Sequence, residues 1–250
     1  MRIKTTKKTK LIVICSSILA IVVMVLVAAF IVSERDSAPK AKNHQPKKVL
    51  KEQLQSFDKT RFSTTDPTSP WVVVNKPNPI NPTTFQPSDL VYVGGQRVSA
   101  KIAPDLNQML VDAKAQGISL RVISGFRSYS YQMSLYNSYT AKDGQAAADT
   151  YSARPGHSEH QTGLVVDIGG LHGCDVDTCF GNTTEGRWLA ANAGKYGFLI
   201  RYTEANQSVA GYQSEPWHIR YVGKDLINEM SVRNITTLEE FFDISGGVNY

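Results

Sequence analysis

The chain of 250 residues carries 27 lysines and arginines against 22 aspartates and glutamates, a formal net charge of +5. That charge is unevenly placed, because residues 1–70 hold 13 basic and 5 acidic side chains whereas residues 71–250 hold 14 and 17. The folded part is therefore slightly acidic, which argues against a nucleic-acid footprint and leaves the basic stem as a topology signal with attraction to anionic lipid or wall polymer.

In chain order, Arg2, Lys4, Lys7, Lys8 and Lys10 precede an uncharged run of 22 residues from Leu11 to Val32. At about 1.5 Å per residue this run spans a hydrocarbon core of roughly 30 Å. The pattern predicts a cytoplasmic stub at 1–10, a single transmembrane anchor at 11–32 and an extracytoplasmic remainder, so that the protein sits in a cell membrane. Val27-Ala28-Ala29 keeps a cleaved signal peptide as the competing reading. Cys15 follows Ile14 rather than a small residue, so it reads as a thiol within the membrane and not as a lipidation site. Residues 33–70 are rich in Lys, Ser, Thr, Pro and Gln and read as a flexible tether, with 48–58 compatible with a short helix. Residues 71–250 have the length of one domain.

Within that domain, Leu106, Met109, Leu110 and Ala113 share a helical face, which predicts a helix over 104–116 stopped by Gly117. Helices are also expected over 130–142 and 185–196, and the Thr237-Leu238-Glu239-Glu240 spacing predicts the start of a last one. Strands are expected over 118–123, 164–168, 198–202 and 217–222. The interspersed order, without a regular βαβ rhythm, points to an α+β domain with an antiparallel sheet.

The chemistry concentrates in Ser158 to Asp167 and, about fifty residues later, Glu215-Pro216-Trp217-His218. The imidazoles of His160 and His218 with the carboxylate of Asp167 can hold a metal and leave a fourth position for water, the arrangement of catalytic rather than structural zinc. Glu215 is then a carboxylate beside the metal that is free to act as a general base. Gly163 and the Val165-Val166 pair argue against a helix, so His160 is placed before a bend and Asp167 near the end of the following strand. Pro216 places Glu215 in a bend ahead of the strand carrying His218. Either motif alone reads first as a solvated glutamate and a half-buried histidine at a strand start; the two together point to a metal.

Ser-x-His-x-x-Gly-x-x-x-Asp combined with Glu-Pro-Trp-His resembles the VanY-type D-alanyl-D-alanine carboxypeptidases, zinc peptidases of bacterial cell-wall metabolism. Val74-Asn75-Lys76-Pro77, Ser124-Gly125-Phe126-Arg127-Ser128, Pro155-Gly156-His157-Ser158 and Arg220-Tyr221-Val222-Gly223 extend the resemblance over about residues 71–243. It implies a small antiparallel sheet flanked by helices, the fold shared with lysostaphin-type enzymes and the hedgehog signalling domain. It further implies one zinc ion on His160, Asp167 and His218, Glu215 as the base, and Arg127 facing the scissile carbonyl, where a fixed charge stabilises the developing oxyanion. Ser158 and Gln132 match polar positions near the peptide. Plain alternatives are a structural ion pair for Arg127, a turn residue for Ser158 and a helix-surface side chain for Gln132. The implied partner is a peptidoglycan stem peptide, cleaved by a monomer.

Two features depart from the family pattern. Cys174 and Cys179 stand in the loop after Asp167, where outside the membrane a disulfide is expected; a second zinc site using His157 or His172 is the alternative. Residues 203–213 lack an expected lysine and Ser214 stands where an aromatic is common, changes that touch the substrate rim. Removal of a terminal D-alanine from a pentapeptide (D,D) or tetrapeptide (L,D), cleavage within cross-bridges, and a zinc-containing binding module without catalysis are all compatible with the sequence; the pairing of Glu215 with Arg127 favours an enzyme.

Overall fold

The computed structural model describes residues 57–171 and 173–250. The expected anchor at 11–32, Cys15, residues 48–56 and His172 lie outside the described residues. Among the described residues no helix is long and apolar enough to cross a membrane.

A hairpin of β1 (Leu90–Val93) and β2 (Gln96–Ser99) turns on Gly94 and Gly95, both at positive φ. Helix α1 (Ala103–Ala115) starts with a proline in its first turn and buries Leu106, Met109 and Ala113, then leads into β3 (Arg121–Ser124). Helix α2 (Tyr129–Asp143) is capped by the Ser128 side chain, which accepts from the Tyr131 N–H, and is followed by α3 (Gln145–Tyr151). A 3₁₀ turn at Glu159–Thr162 precedes β4 (Val165–Gly169), which is buried along its whole length. Beyond the Cys174–Cys179 loop come α4 (Thr184–Asn192), β5 (Phe198–Tyr202), the short α5 (Gln207–Ala210), β6 (Glu215–Tyr221), α6 (Lys224–Arg233) and α7 (Leu238–Phe242). The last is capped by Thr237, whose hydroxyl accepts from the Glu240 N–H.

The second sheet has the order β3-β4-β6-β5, with antiparallel neighbours throughout, so the fold is α+β with small antiparallel sheets and flanking helices. Four expectations shift. The strand expected at 118–123 starts later and runs over Arg121–Ser124. The helix expected over 185–196 becomes 3₁₀ from Ala193. Asp167 lies mid-strand, because β4 continues to Gly169. Glu215 is the first residue of β6, paired with Tyr202, rather than a bend residue ahead of it; a proline one place into a strand is tolerated where the ladder is irregular, and the β5–β6 register shifts between Ile200 and Tyr202.

The expected tether also ends earlier than Pro70. Phe57 stacks on Trp71 at 5.6 Å and meets Phe241 edge-on, and Arg61 pairs with Asp225. Trp71 is buried and donates its indole N–H to the Val222 carbonyl. The polar composition of residues 57–70 concealed Phe57 and Phe62, whose rings pack against Trp71.

Candidate active site

Sheet register assembles the site. Ser124 of β3, Asp167 of β4 and His218 of β6 are successive cross-strand partners, so their side chains share one row on one face. His160 is added from the 3₁₀ turn, which ends at Gly163 in the left-handed region (φ +71°), where a Cβ would stand 3.0 Å from the Ser99 nitrogen. Gly125 is required for a different reason: a Cβ there would lie 2.3 Å from the Arg97 carbonyl oxygen. Its own carbonyl accepts from His160 Nδ1 at 2.7 Å, which leaves the Nε2 lone pair as that imidazole's ligand atom, facing Arg127 Nη2 at 2.6 Å.

One ligand atom from each of His160, Asp167 and His218 lies within 4.8 Å of the others, and all three residues are buried. Asp167 Oδ1 has no hydrogen-bond partner despite being buried, and stands 3.4 Å from His218 Nδ1. An orphaned carboxylate oxygen is costly in a protein interior unless a cation completes it. The donor set therefore fits a metal ion. Burial and the neighbouring Arg127 guanidinium push the His160 imidazole down to about 4. For His218 burial acts in the same direction, but the facing carboxylates of Asp167 and Glu159 outweigh it and raise the imidazole to about 9. Burial opposes the charge of Asp167 as well, yet His160, His218 and Arg127 together hold its carboxyl well below the usual range.

Glu215 Oε2 lies 3.5 Å from His218 Nδ1. Burial pushes its carboxyl up to about 7, with His218 pulling it down and Asp167 adding to the rise, a value suited to proton transfer near neutrality. Arg127 donates through Nη2 to Asp167 Oδ2 at 2.9 Å, through Nε to Ser124 Oγ and through Nη1 to Gln132 Oε1. Gln132 is buried, not on the helix surface, and its amide donates to the Ala153 carbonyl at 2.8 Å; it steers Arg127. Ser158, also buried, lines the same cleft of about 490 Å³ as the metal-site residues, Arg127, Gln132 and Glu215. Cys174 and Cys179 are bonded to each other with their Cα atoms 5.6 Å apart, which removes both thiolates from the alternative second metal site. His157 instead uses Nδ1 on the Asn75 carbonyl and packs edge-on against Tyr250.

Sequence reasoning missed Glu159. Its Oε2 faces His218 Nε2 at 3.4 Å, while Oε1 accepts from Arg201 Nε and Arg220 Nη1, each at 2.9 Å. Arg201 in turn pairs with Glu239 through two nitrogens, and Asn75 donates to Glu239 Oε1. All four charged side chains are essentially inaccessible. Two acids balance two arginines, and the network fixes which His218 nitrogen faces Asp167. The one signal in the sequence was a glutamate directly beside His160, with Arg201-Tyr202 and Arg220-Tyr221 further along.

A buried two-histidine, one-carboxylate cluster with a separate acid and an arginine lining the same cleft has the parts that metal-assisted hydrolysis requires. A family model described as VanY: D-alanyl-D-alanine carboxypeptidase matches residues 95–224, and the chain belongs to that family. A D-alanyl-D-alanine carboxypeptidase of Enterococcus faecalis (strain ATCC 700802 / V583) is 33% identical over 183 residues, covering 69% of this chain and 65% of that protein; the chain thus spans less than two thirds of that relative. Among solved structures, the LdcB LD-carboxypeptidase superposes with a TM-score of 0.65 at 35% identity, over 72% of this chain and 88% of that one. A mutant of the vancomycin-resistance D,D-pentapeptidase VanY in complex with Zn(II) superposes with a TM-score of 0.59 at 33% identity, over 68% and 97%.

Proposed function

We propose that this chain is a zinc-dependent carboxypeptidase that removes the terminal D-alanine from peptidoglycan stem peptides. The observation carrying this reading is the orphaned Asp167 Oδ1 beside His218, in a cluster completed by His160 and with Glu215 next to it. His160, Asp167 and His218 would hold the ion, which supplies Lewis acidity for activating water and polarising the scissile carbonyl. Glu215 takes the proton of the attacking water and returns it to the leaving amine, a double role suited to a carboxyl poised near neutrality. Arg127, anchored at Ser124 and Gln132, presents a fixed positive charge to the oxygen on which negative charge develops. The Cys174–Cys179 disulfide supports an extracytoplasmic location, with the apolar run at 11–32 as the membrane anchor.

The test is mass spectrometry of defined tetra-, penta- and cross-linked stem peptides incubated with the zinc-loaded protein. Loss of one terminal D-alanine is expected, and the peptide that loses it separates L,D from D,D preference. Binding without cleavage of any of them would replace the enzyme by a binding module.

Zinc binding is expected to release a proton. Without metal, His218 is protonated below about pH 9, and the ion must displace that proton to gain Nδ1. Zinc affinity should therefore rise about tenfold per pH unit from pH 6 to 8. Competition with a chelator across that range checks this; a flat profile would show His218 to be neutral.

A further inference from the structure

The disulfide loop contains a residue whose backbone and side chain disagree. Val176 adopts φ +54°, a region that a β-branched residue enters only under strain and that Asn or Gly occupies readily. Its side chain gains little from burial in return, since Val176 is 48% exposed. It lines the same cleft as Glu215 and the metal-site residues.

The residues around it are held in place, Asp175 against the domain and the rest within the loop itself. Asp175 accepts from the Gly170 N–H at 3.0 Å and pairs with Arg121. Asp177 accepts from the Cys179 N–H at 2.9 Å, and Cys174 is bonded to Cys179. Beyond the second cysteine, Phe180 is buried, and a Cβ on Gly181 would meet Pro216 at 3.3 Å, so the end of the loop rests against the neighbour of Glu215. A loop anchored at so many points presents a single apolar group to the cleft, on a backbone that disfavours it. Strain of this kind persists where the surroundings over-determine it, and it clusters at ligand clamps.

We propose that Val176 is a specificity-determining residue, its isopropyl group being the surface against which a small aliphatic side chain of the substrate peptide packs. This rests on the peptide-hydrolysis reading above. The closed loop supplies the rigidity, so that contact is made without ordering the rim on binding.

The experiment compares zinc-loaded unaltered protein with Val176→Gly and Val176→Asn on stem peptides whose alanines flanking the scissile bond are replaced singly by glycine. At one of those positions the lost methyl should lower kcat/KM about tenfold for the unaltered protein, the usual discrimination of an apolar pocket for one carbon, and markedly less for both variants. Calorimetry on Glu215→Gln protein with and without the Val176 change should show the same loss in affinity for the intact peptide. Zinc content should be unchanged and the melting temperature equal or higher, since both replacements suit the left-handed backbone. Equal glycine sensitivity of all three proteins at every position overturns the proposal, as does a fall in melting temperature or zinc content in both variants, which would make Val176 a structural residue. If the unaltered protein cleaves no stem peptide, the functional reading fails, and the calorimetric comparison still decides whether Val176 contacts the peptide; no binding at all overturns both.

Discussion

Glu215→Ala is expected to lower turnover on a cognate stem peptide by a factor of about 10² to 10⁴, and by more if the same carboxyl also protonates the leaving amine, while leaving zinc bound. His160→Ala is expected to lose both. The contrast follows from position: His160 contributes a donor atom to the buried cluster, whereas Glu215 lies 3.5 Å from His218 and is not needed to complete it. Steady-state kinetics with elemental analysis of the same samples checks the pair, and near-normal turnover of Glu215→Ala would remove Glu215 from the role of base. In the unaltered protein kcat/KM should fall as acid protonates Glu215. Its carboxyl is raised to about 7 without metal, and a bound cation favours the ionised form, so the acid limb should lie below pH 7. Linkage runs with the opposite sign. The fold holds this proton more tightly than the unfolded chain, so Glu215's contribution to stability is greatest below the ordinary carboxylate value and is lost as pH rises through about 7. Metal-free Glu215→Ala should therefore resist urea better than metal-free unaltered protein at pH 8.

Glu159→Ala should produce the largest loss of stability, about 3–5 kcal/mol, because it strands buried charge. Arg201 would keep only Glu239, and Arg220 only the carbonyls of Tyr221, Pro70 and Val72. Zinc affinity should fall about 10- to 100-fold, the usual consequence of removing the group that orients a ligating histidine. Glu159→Gln separates the two effects: it retains an acceptor for one arginine and should fold better than the alanine variant, yet it lacks the charge that holds a proton on His218 Nε2. Urea unfolding and chelator competition on both variants read this out. Unchanged zinc affinity in a folded Glu159→Gln protein would leave the network as scaffold alone.

The clustering of His160, Asp167 and His218 with Glu215 beside them was legible in the sequence because residue type and spacing carry it in two short motifs, His160 and Asp167 around Gly163 and Glu215 with His218 around Pro216, whereas the place of Arg127 came from the family resemblance alone. The α+β class was legible too, since helical faces such as Leu106–Met109–Ala113 and the β-branched strands announce themselves by period. The β1–β2 hairpin went unread although Gly94-Gly95 marked its turn, because both strands are four residues long and β1 is largely exposed, which leaves little hydrophobic pattern. Tertiary structure alone decided the rest. Nothing local distinguishes Glu159 from a solvent-facing acid, since its partners Arg201 and Arg220 are 42 and 61 residues away. Gln132 lies in a polar-looking helix and is buried because Arg127 and Ala153 close over it. Residues 57–70 look like linker, and become part of the domain through Phe57 meeting Trp71 and Phe241. In each case the deciding energy is a desolvated long-range contact, and composition and period report only on neighbours along the chain.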